Sequence, residues 1–219
     1  AVGLLKGSFR PDQIICAVRT LQRHRQNLIQ MASEHVLHMQ KSMEQMNLKL
    51  QHVISDITGV TGLRIVDAIL AGEREAKVLA GLRDGRIRAD EDTVVKSLVG
   101  DYRPEHLITL KQSLEGYRFY QKLIEDLDAV AEGYMDALPS KIDLGEHPLP
   151  VNAKKSKRQH NAPDYDARLY CYRAFGVDVT AIPGIAGSTA QVLLTEIGPD
   201  LSKFTSASGT WFDSSSSSV

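Results

Sequence analysis

The chain is poor in the features that usually announce a mechanism. Its 219 residues include two cysteines, Cys16 and Cys171, too few for a disulfide framework and in no metal-ligand spacing. A reducing cytoplasm is therefore the expected compartment. Neither charge dominates: 26 Lys and Arg face 27 Asp and Glu, a formal net charge of −1. No global basic field points to a polyanionic partner, so local patches must carry any such contact. No apolar run approaches the roughly 18 residues of a membrane span, and no signal peptide is visible. Convincing strand runs are absent as well. From Asp12 to Thr58 there is neither glycine nor proline.

That last absence predicts a long helix. Pro11 suits a first helical position and Asp12 suits the positive end of the helix dipole. An apolar seam then runs through Ile14, Val18, Leu21, Leu28, Ala32, Val36, Met39, Met43, Met46, Leu50, Val53 and Ile57, with Arg25 at one seam position. Its steps of three and four, with a stutter at Leu28–Ala32–Val36, are those of a coiled coil. An unbroken helix to Gly59 would be roughly 65 Å long. A second seam follows Arg103-Pro104, through Leu107, Leu110, Leu114, Tyr117, Tyr120, Ile124, Leu127, Ala131, Tyr134 and Leu138. The two helices can pair within one chain or across a dimer. Between them lie a short helical piece ending at Asp84-Gly85 and a polar turn over Arg86–Asp92. The length suffices for one or two cores.

After Leu138 the character changes. Pro139, Gly145, Pro148 and Pro150 mark a linker that leads into Lys154, Lys155, Lys157 and Arg158. Those four cations can bind phosphates and release counterions, or simply solvate a linker. A helix over Tyr165–Phe175 carries Leu169, Tyr170, Tyr172 and Phe175 and can pack behind the segment that follows it. That segment, Ile182-Pro183-Gly184-Ile185-Ala186-Gly187-Ser188-Thr189, reads as a glycine hairpin opening a helix that Gly198 and Pro199 stop. Gly184 and Gly187 allow backbone angles closed to other residues and remove side chains from the path. Ser188 or Thr189 can cap the helix, whose free N–H groups form a seat for phosphate. A helix-hairpin-helix uses this arrangement to grip nucleic-acid backbone; a structural αα-turn has the same signature. Ile57-Thr58-Gly59-Val60-Thr61-Gly62 repeats the glycine pair ahead of a second apolar helix over 63–72, which favours a nucleic-acid role for both copies.

A set of phrases in fixed order extends this reading. Arg10-Pro11, His38-Met39-Gln40-Lys41, Met46-Asn47-Leu48, the run Val53 to Gly62, Ala68-Ile69-Leu70-Ala71-Gly72-Glu73-Arg74 and Lys96-Ser97-Leu98-Val99-Gly100-Asp101 are joined by Phe175-Gly176-Val177-Asp178 and Ile182-Pro183-Gly184-Ile185. Together they resemble the DEDD-type insertion-sequence transposases, relatives of a pilin-inverting recombinase that include bridge-RNA-guided members. The resemblance extends to about Phe212. It implies an RNase H-like (RuvC-like) domain whose Asp-Glu-Asp-Asp set holds a divalent metal such as Mg, then a coiled coil for assembly. A C-terminal transposase domain with a serine nucleophile in a Ser-Gly-Gly type motif would follow.

This chain begins at Ala1 and is expected to start after the last carboxylate motif, so none of those four residues is carried over. Past Trp211-Phe212 it departs from the family pattern into Asp213 and the serines Ser214–Ser218, as a truncated or frame-shifted reading would. Ser208-Gly209 precedes that anchor and lacks the second glycine. No catalytic residue, metal ligand or cofactor is therefore assigned to this chain. The expected fold is mainly α: long coiled-coil helices plus a small helical domain with a helix-hairpin-helix-like motif. The expected layout is a remnant at 1–10, a coiled-coil region at 11–138 with the first hairpin at 57–72, a linker at 139–163, the start of the transposase domain at 164–212 and a tail at 213–219.

The implied function is a fragment of a transposase that binds DNA in insertion-sequence transposition and recombination, inactive alone. DNA, a guide RNA and further copies of the chain are the implied partners, with no membrane. Contacts to nucleic acid are assigned to Gly59, Gly62, Lys154, Lys155, Lys157, Arg158, Gly184, Gly187, Ser188 and Thr189. The alternative is a coiled-coil assembly module without a nucleic-acid role, able to poison full-length subunits. Other groups read as ordinary: Glu125, Asp126 and Asp128 as a solvated helix face, and Asp90-Glu91-Asp92 as a helix N-terminus. His24, His35, His38 and His52 read as surface histidines without a metal-binding partner, and Cys16 as a small apolar filler.

Overall fold

A computed structural model of the chain describes residues 12–151 and 161–200. Among these residues all regular structure is helical. In order they form α1 (Gln13–Gln45), a 3-10 turn (Leu50–His52), α2 (Val60–Leu70), α3 (Ala76–Gly81), α4 (Glu91–Ser97) and α5 (Pro104–Asp136). Then come α6 (Ala167–Phe175), a second 3-10 turn (Val179–Ala181) and α7 (Gly187–Ile197). None of these helices is long and apolar enough to cross a membrane. The two seams become helices of 33 residues each, about 50 Å long, and they pack against each other within the chain. Two compact units result, Arg25–Glu125 and a second made of Ala1–His24 with Asp126–Val219.

In the unit Arg25–Glu125, Ala32, Met39 and Met43 of α1 share a core with Leu110, Leu114 and Tyr117 of α5, and α2 adds Ile65, Val66 and Ile69. The first helix does not run on to Gly59. It stops at Gln45, because Asn47 takes a left-handed φ of 58°. The Asn47 N–H then bonds the Glu44 carbonyl at 2.8 Å and the Leu48 N–H the Met43 carbonyl at 2.8 Å. This is a Schellman motif with asparagine where glycine is usual, and its apolar partners Met43 and Leu48 are both fully buried. The reversed chain is held by Lys49 N–H on the Ser97 carbonyl (2.7 Å) and Asp101 N–H on the Met46 carbonyl (2.8 Å). Gly100 makes that approach possible, since a Cβ there would lie 2.2 Å from the Met46 carbonyl oxygen. Asp90 caps α4 by accepting from the Thr93 N–H at 2.7 Å, as its position in the sequence predicts.

His35 is not the surface histidine its sequence context suggests. Its ring is half-buried, tilted 30° to Tyr120 at a centroid distance of 5.5 Å. It also lies flat against Gly116 of α5, where a Cβ would meet the imidazole at 2.4 to 2.7 Å. A missing side chain on the facing helix, invisible to periodicity, opens the space.

In the other unit, Ile15 and Val18 of α1 meet Ala131, Met135 and Leu138 at the end of α5, together with Cys171, Ala174 and Phe175 of α6 and Ala190 and Leu194 of α7. At both seam ends the buried stripe has moved by one residue. Ile15 is 1% exposed in place of Ile14, and Met135 is 1% exposed while Tyr134 stands at 42%. Ile15 to Val18 is still a step of three, and Ala131 to Met135 to Leu138 steps of four and three, so either neighbour fits the rhythm and the facing residues of the core decide which one is buried. Asp128 is a second correction, being 2% exposed rather than solvated. It accepts from the Asp164 N–H at 3.1 Å where the chain returns to α5. The last turn of α7 is closed by Arg19, which donates to the Thr195 carbonyl, and by Arg23, 2.9 Å from the Glu196 carboxylate.

Candidate nucleic-acid interface

Each glycine segment starts from the same local device, an aspartate folding back on the threonine two residues later. Asp56 Oδ1 accepts from the Thr58 N–H (2.8 Å) and hydroxyl (2.7 Å). Asp178 Oδ1 does the same for Thr180, at 3.1 and 2.6 Å. These are Asx turns, which asparagine and aspartate form because their short side chains mimic a backbone carbonyl. Beyond them the two segments diverge. In the first, α2 begins one residue after Gly59; in the second, α7 begins at Gly187 itself, three residues past Gly184. The shared glycine spacing therefore sits two residues out of register against the helix it precedes, and the two copies are not structural equivalents.

The glycines also do different work. Gly59 is the N-cap of α2 at φ −71° and ψ 171°, angles open to any residue. Gly62 is buried inside α2, and a Cβ there would stand 2.1 Å from the Ile57 carbonyl oxygen, so it serves close packing and offers nothing to solvent. Of Gly59, Gly62, Gly184 and Gly187, Gly184 is the one that takes a left-handed angle, with φ +90° and open space around it. It follows Pro183, and the Ile185 N–H bonds the Ile182 carbonyl at 3.1 Å, which makes Ile182–Ile185 a type II turn. A Cβ on Gly187 would sit 3.3 Å from the Arg168 backbone nitrogen, a tight approach of α7 to α6.

Ser188 and Thr189 do not cap α7. They lie within its first turn, and the N-cap is Ala186, which has no side-chain acceptor. Lys154, Lys155, Lys157 and Arg158 fall outside the described residues, as do Trp211-Phe212, Ser208-Gly209 and the segments 1–10 and 213–219.

Electrostatics separates the two helix starts. Beside α2 the Asp56 carboxylate already occupies the positive end, and a Cβ on Gly59 would lie 3.6 Å from its Oδ2. Thr61 is engaged too, accepting from the Asp84 N–H at 2.9 Å. A phosphate approaching there meets a carboxylate. At α7 the nearby aspartate is neutralised: Asp178 Oδ2 pairs with the Arg168 guanidinium at 2.6 Å, with the side chains 9% and 16% exposed. Burial pushes the Asp178 carboxyl up, but its bonds to Arg168 and Thr180 outweigh that and hold it below the ordinary carboxylate range. Arg168 also donates to Thr180 Oγ1 (2.9 Å) and to the Pro150 carbonyl (2.7 Å). It thereby ties α6 to the turn that leads into the hairpin, a role no sequence spacing marks. The Asp-x-Thr pairs, by contrast, are legible as turn formers.

The turn itself is open: Ile182 is 55% exposed, and Pro183 and Gly184 are exposed. Among the described residues no group of three or more His, Cys, Asp or Glu gathers to hold a metal. Searches against protein-family models, curated proteins and solved structures gave no significant match to the chain.

Proposed function

We propose that the chain is part of a DEDD-type insertion-sequence transposase, and that it contributes nucleic-acid backbone contact to DNA transposition rather than strand chemistry. One observation supports this most directly. The solvent-open type II turn at Pro183-Gly184 leads into α7, whose N-cap residue Ala186 supplies no side-chain acceptor. First-turn N–H groups at the positive end of a helix dipole suit a phosphate. Lys154, Lys155, Lys157 and Arg158 would add charge close by in sequence.

The test is a titration against duplex DNA and structured RNA at two salt concentrations. Binding that weakens steeply with salt is expected, and replacing the four cations by Ala should lower the salt slope by up to roughly 3–4. Ala186→Asp separates folding from binding. A carboxylate at the N-cap should hold or raise the melting temperature while weakening phosphate binding about five-fold, the equivalent of about 1 kcal/mol at the dipole. No binding at low salt, or an Ala186→Asp variant that binds as well as the parent, sinks the reading.

A second reading, an assembly module without nucleic-acid contact, is favoured by the outer face of α5. Ile108 and Phe119 are 58% and 59% exposed and sit three turns apart on the same side. Concentration-dependent self-association in sedimentation, with no polyanion binding, would select it.

A further inference from the structure

A second binding feature lies wholly within the unit Arg25–Glu125. A solvent-open cavity of about 400 Å³ lies between α1 and α5, within the size range of small-ligand pockets. Its chemistry is one-sided, for no carboxylate lines it. The hydroxyls of its floor are spent on their own helices. Thr109 Oγ1 donates to the His106 carbonyl (2.9 Å) and Ser113 Oγ to the Thr109 carbonyl (2.7 Å), while Ser42 Oγ lies within bonding reach of the His38 carbonyl (2.9 Å) and Thr109 Oγ1 (3.0 Å). What remains for a ligand is the Lys41 ammonium, the imidazoles of His35 and His38, and the amides of Gln45 and Gln112. Lys41 has no ion-pair partner among the described residues.

Two costs converge on His35. Its Nδ1 is buried without a hydrogen-bond partner, and an unmet buried polar atom costs about 1–3 kcal/mol. Gly116 stands inside α5, where glycine costs about 1 kcal/mol against alanine, and its missing Cβ is what admits the ring. His38 closes the wall edge-on, its ring centroid 6.1 Å from that of His35. An anionic oxygen in the cavity would give the Lys41 charge a counter-charge through a charge-assisted bond, with the side chains of His35 and His38 lining the same space.

The geometry points to a phosphate-binding pocket formed by His35, His38 and Lys41, admitted by Gly116. It is independent of the turn at Pro183-Gly184, and its ligand is either a small phosphorylated molecule or the phosphate of a nucleic-acid strand. The measurement is a histidine side-chain NMR titration of the full chain with inorganic pyrophosphate, with sodium chloride at matched ionic strength as the control. His35 and His38 resonances should shift saturably with pyrophosphate only. Lys41→Met should weaken that response at least ten-fold at an unchanged melting temperature, and His38→Ala should weaken it likewise.

Gly116→Ala should abolish the His35 response by closing the slot, and if it fails to fold, the Lys41 and His38 variants decide. Ala186→Asp should leave the pocket response untouched, so failure here and failure at α7 are distinguishable. If duplex DNA competes with pyrophosphate for these resonances, the phosphate is that of a nucleic-acid strand. If DNA does not compete, the ligand is a small phosphorylated molecule. Equal shifts with chloride, or Lys41→Met binding like the parent, would overturn the proposal.

Discussion

Replacing Gly62 by alanine should destabilise the unit Arg25–Glu125 although alanine is the better helix former. A Cβ at position 62 would stand 2.1 Å from the Ile57 carbonyl oxygen, 2.5 Å from its carbon and 2.7 Å from the Ile57 Cα, whereas real Cβ contacts essentially never fall below 3.0 Å. The opposing group must retreat by about 0.9 Å, and it is backbone, pinned between Asp56 and Thr58 by their Asx turn. Overpacking costs about 1–3 kcal/mol, and an immovable peptide group puts this site at the upper end. Alanine returns about 1 kcal/mol of helix propensity, leaving a net loss of about 2 kcal/mol. For a chain of this size that is about 4–8 °C in melting temperature.

Gly81, at the end of α3 with nothing within 4 Å of the place a Cβ would occupy, is the control: Gly81→Ala should gain about 0.5–1 kcal/mol. Thermal and urea melts of both variants against the parent decide the matter. If Gly62→Ala melts at or above the parent while Gly81→Ala is stabilised as expected, the close approach to Ile57 is not what the glycine serves.

Other perturbations follow from the same geometry. Asn47→Gly should be neutral or slightly stabilising and Asn47→Val should cost about 1–2 kcal/mol in urea melts, because the left-handed φ disfavours a branched side chain. Equal stability of the two would remove the Schellman account of how α1 ends. Asp178 has its carboxyl held low in the folded chain, so its stabilising effect is complete above the unfolded value near about 3.9 and fades as pH falls through the folded value. Denaturation midpoints of the parent should therefore drop more between pH 6 and pH 3 than those of Asp178→Asn; parallel profiles would refute this. Cys171, with its thiol pushed up to about 12 by burial, should resist alkylation at pH 8 until denaturant is added, while rapid labelling of the native chain at that position would contradict its burial in the α6–α7 core.

What the sequence determined by itself was the local chemistry. Seams of three and four specify helices because a 3.6-residue repeat needs one apolar stripe, and Pro104, Asp90 and Gly198 mark helix ends through properties of single residues. Pro183-Gly184 is legible as a turn for the same reason: proline presets φ at one corner and glycine admits a positive φ at the next. Tertiary structure decided what depends on a facing backbone or side chain. The end of α1 at Asn47 rests on Met43 and Leu48 being buried together and on Ser97 and Asp101 bonding the reversed strand of chain. Gly59 and Gly184 look alike in sequence, yet one is an ordinary N-cap and the other the left-handed corner of an open turn, because the helices after them start at different offsets. The candidate site was legible at Gly184 and Gly187 for that local reason, whereas the Arg168–Asp178 pair behind it was not. His35, Asp128 and Gly62 read as surface or turn residues until Gly116, Asp164 and Ile57 arrive from elsewhere in the chain. Periodicity reports which face of a helix is apolar, but not what comes to lie against it.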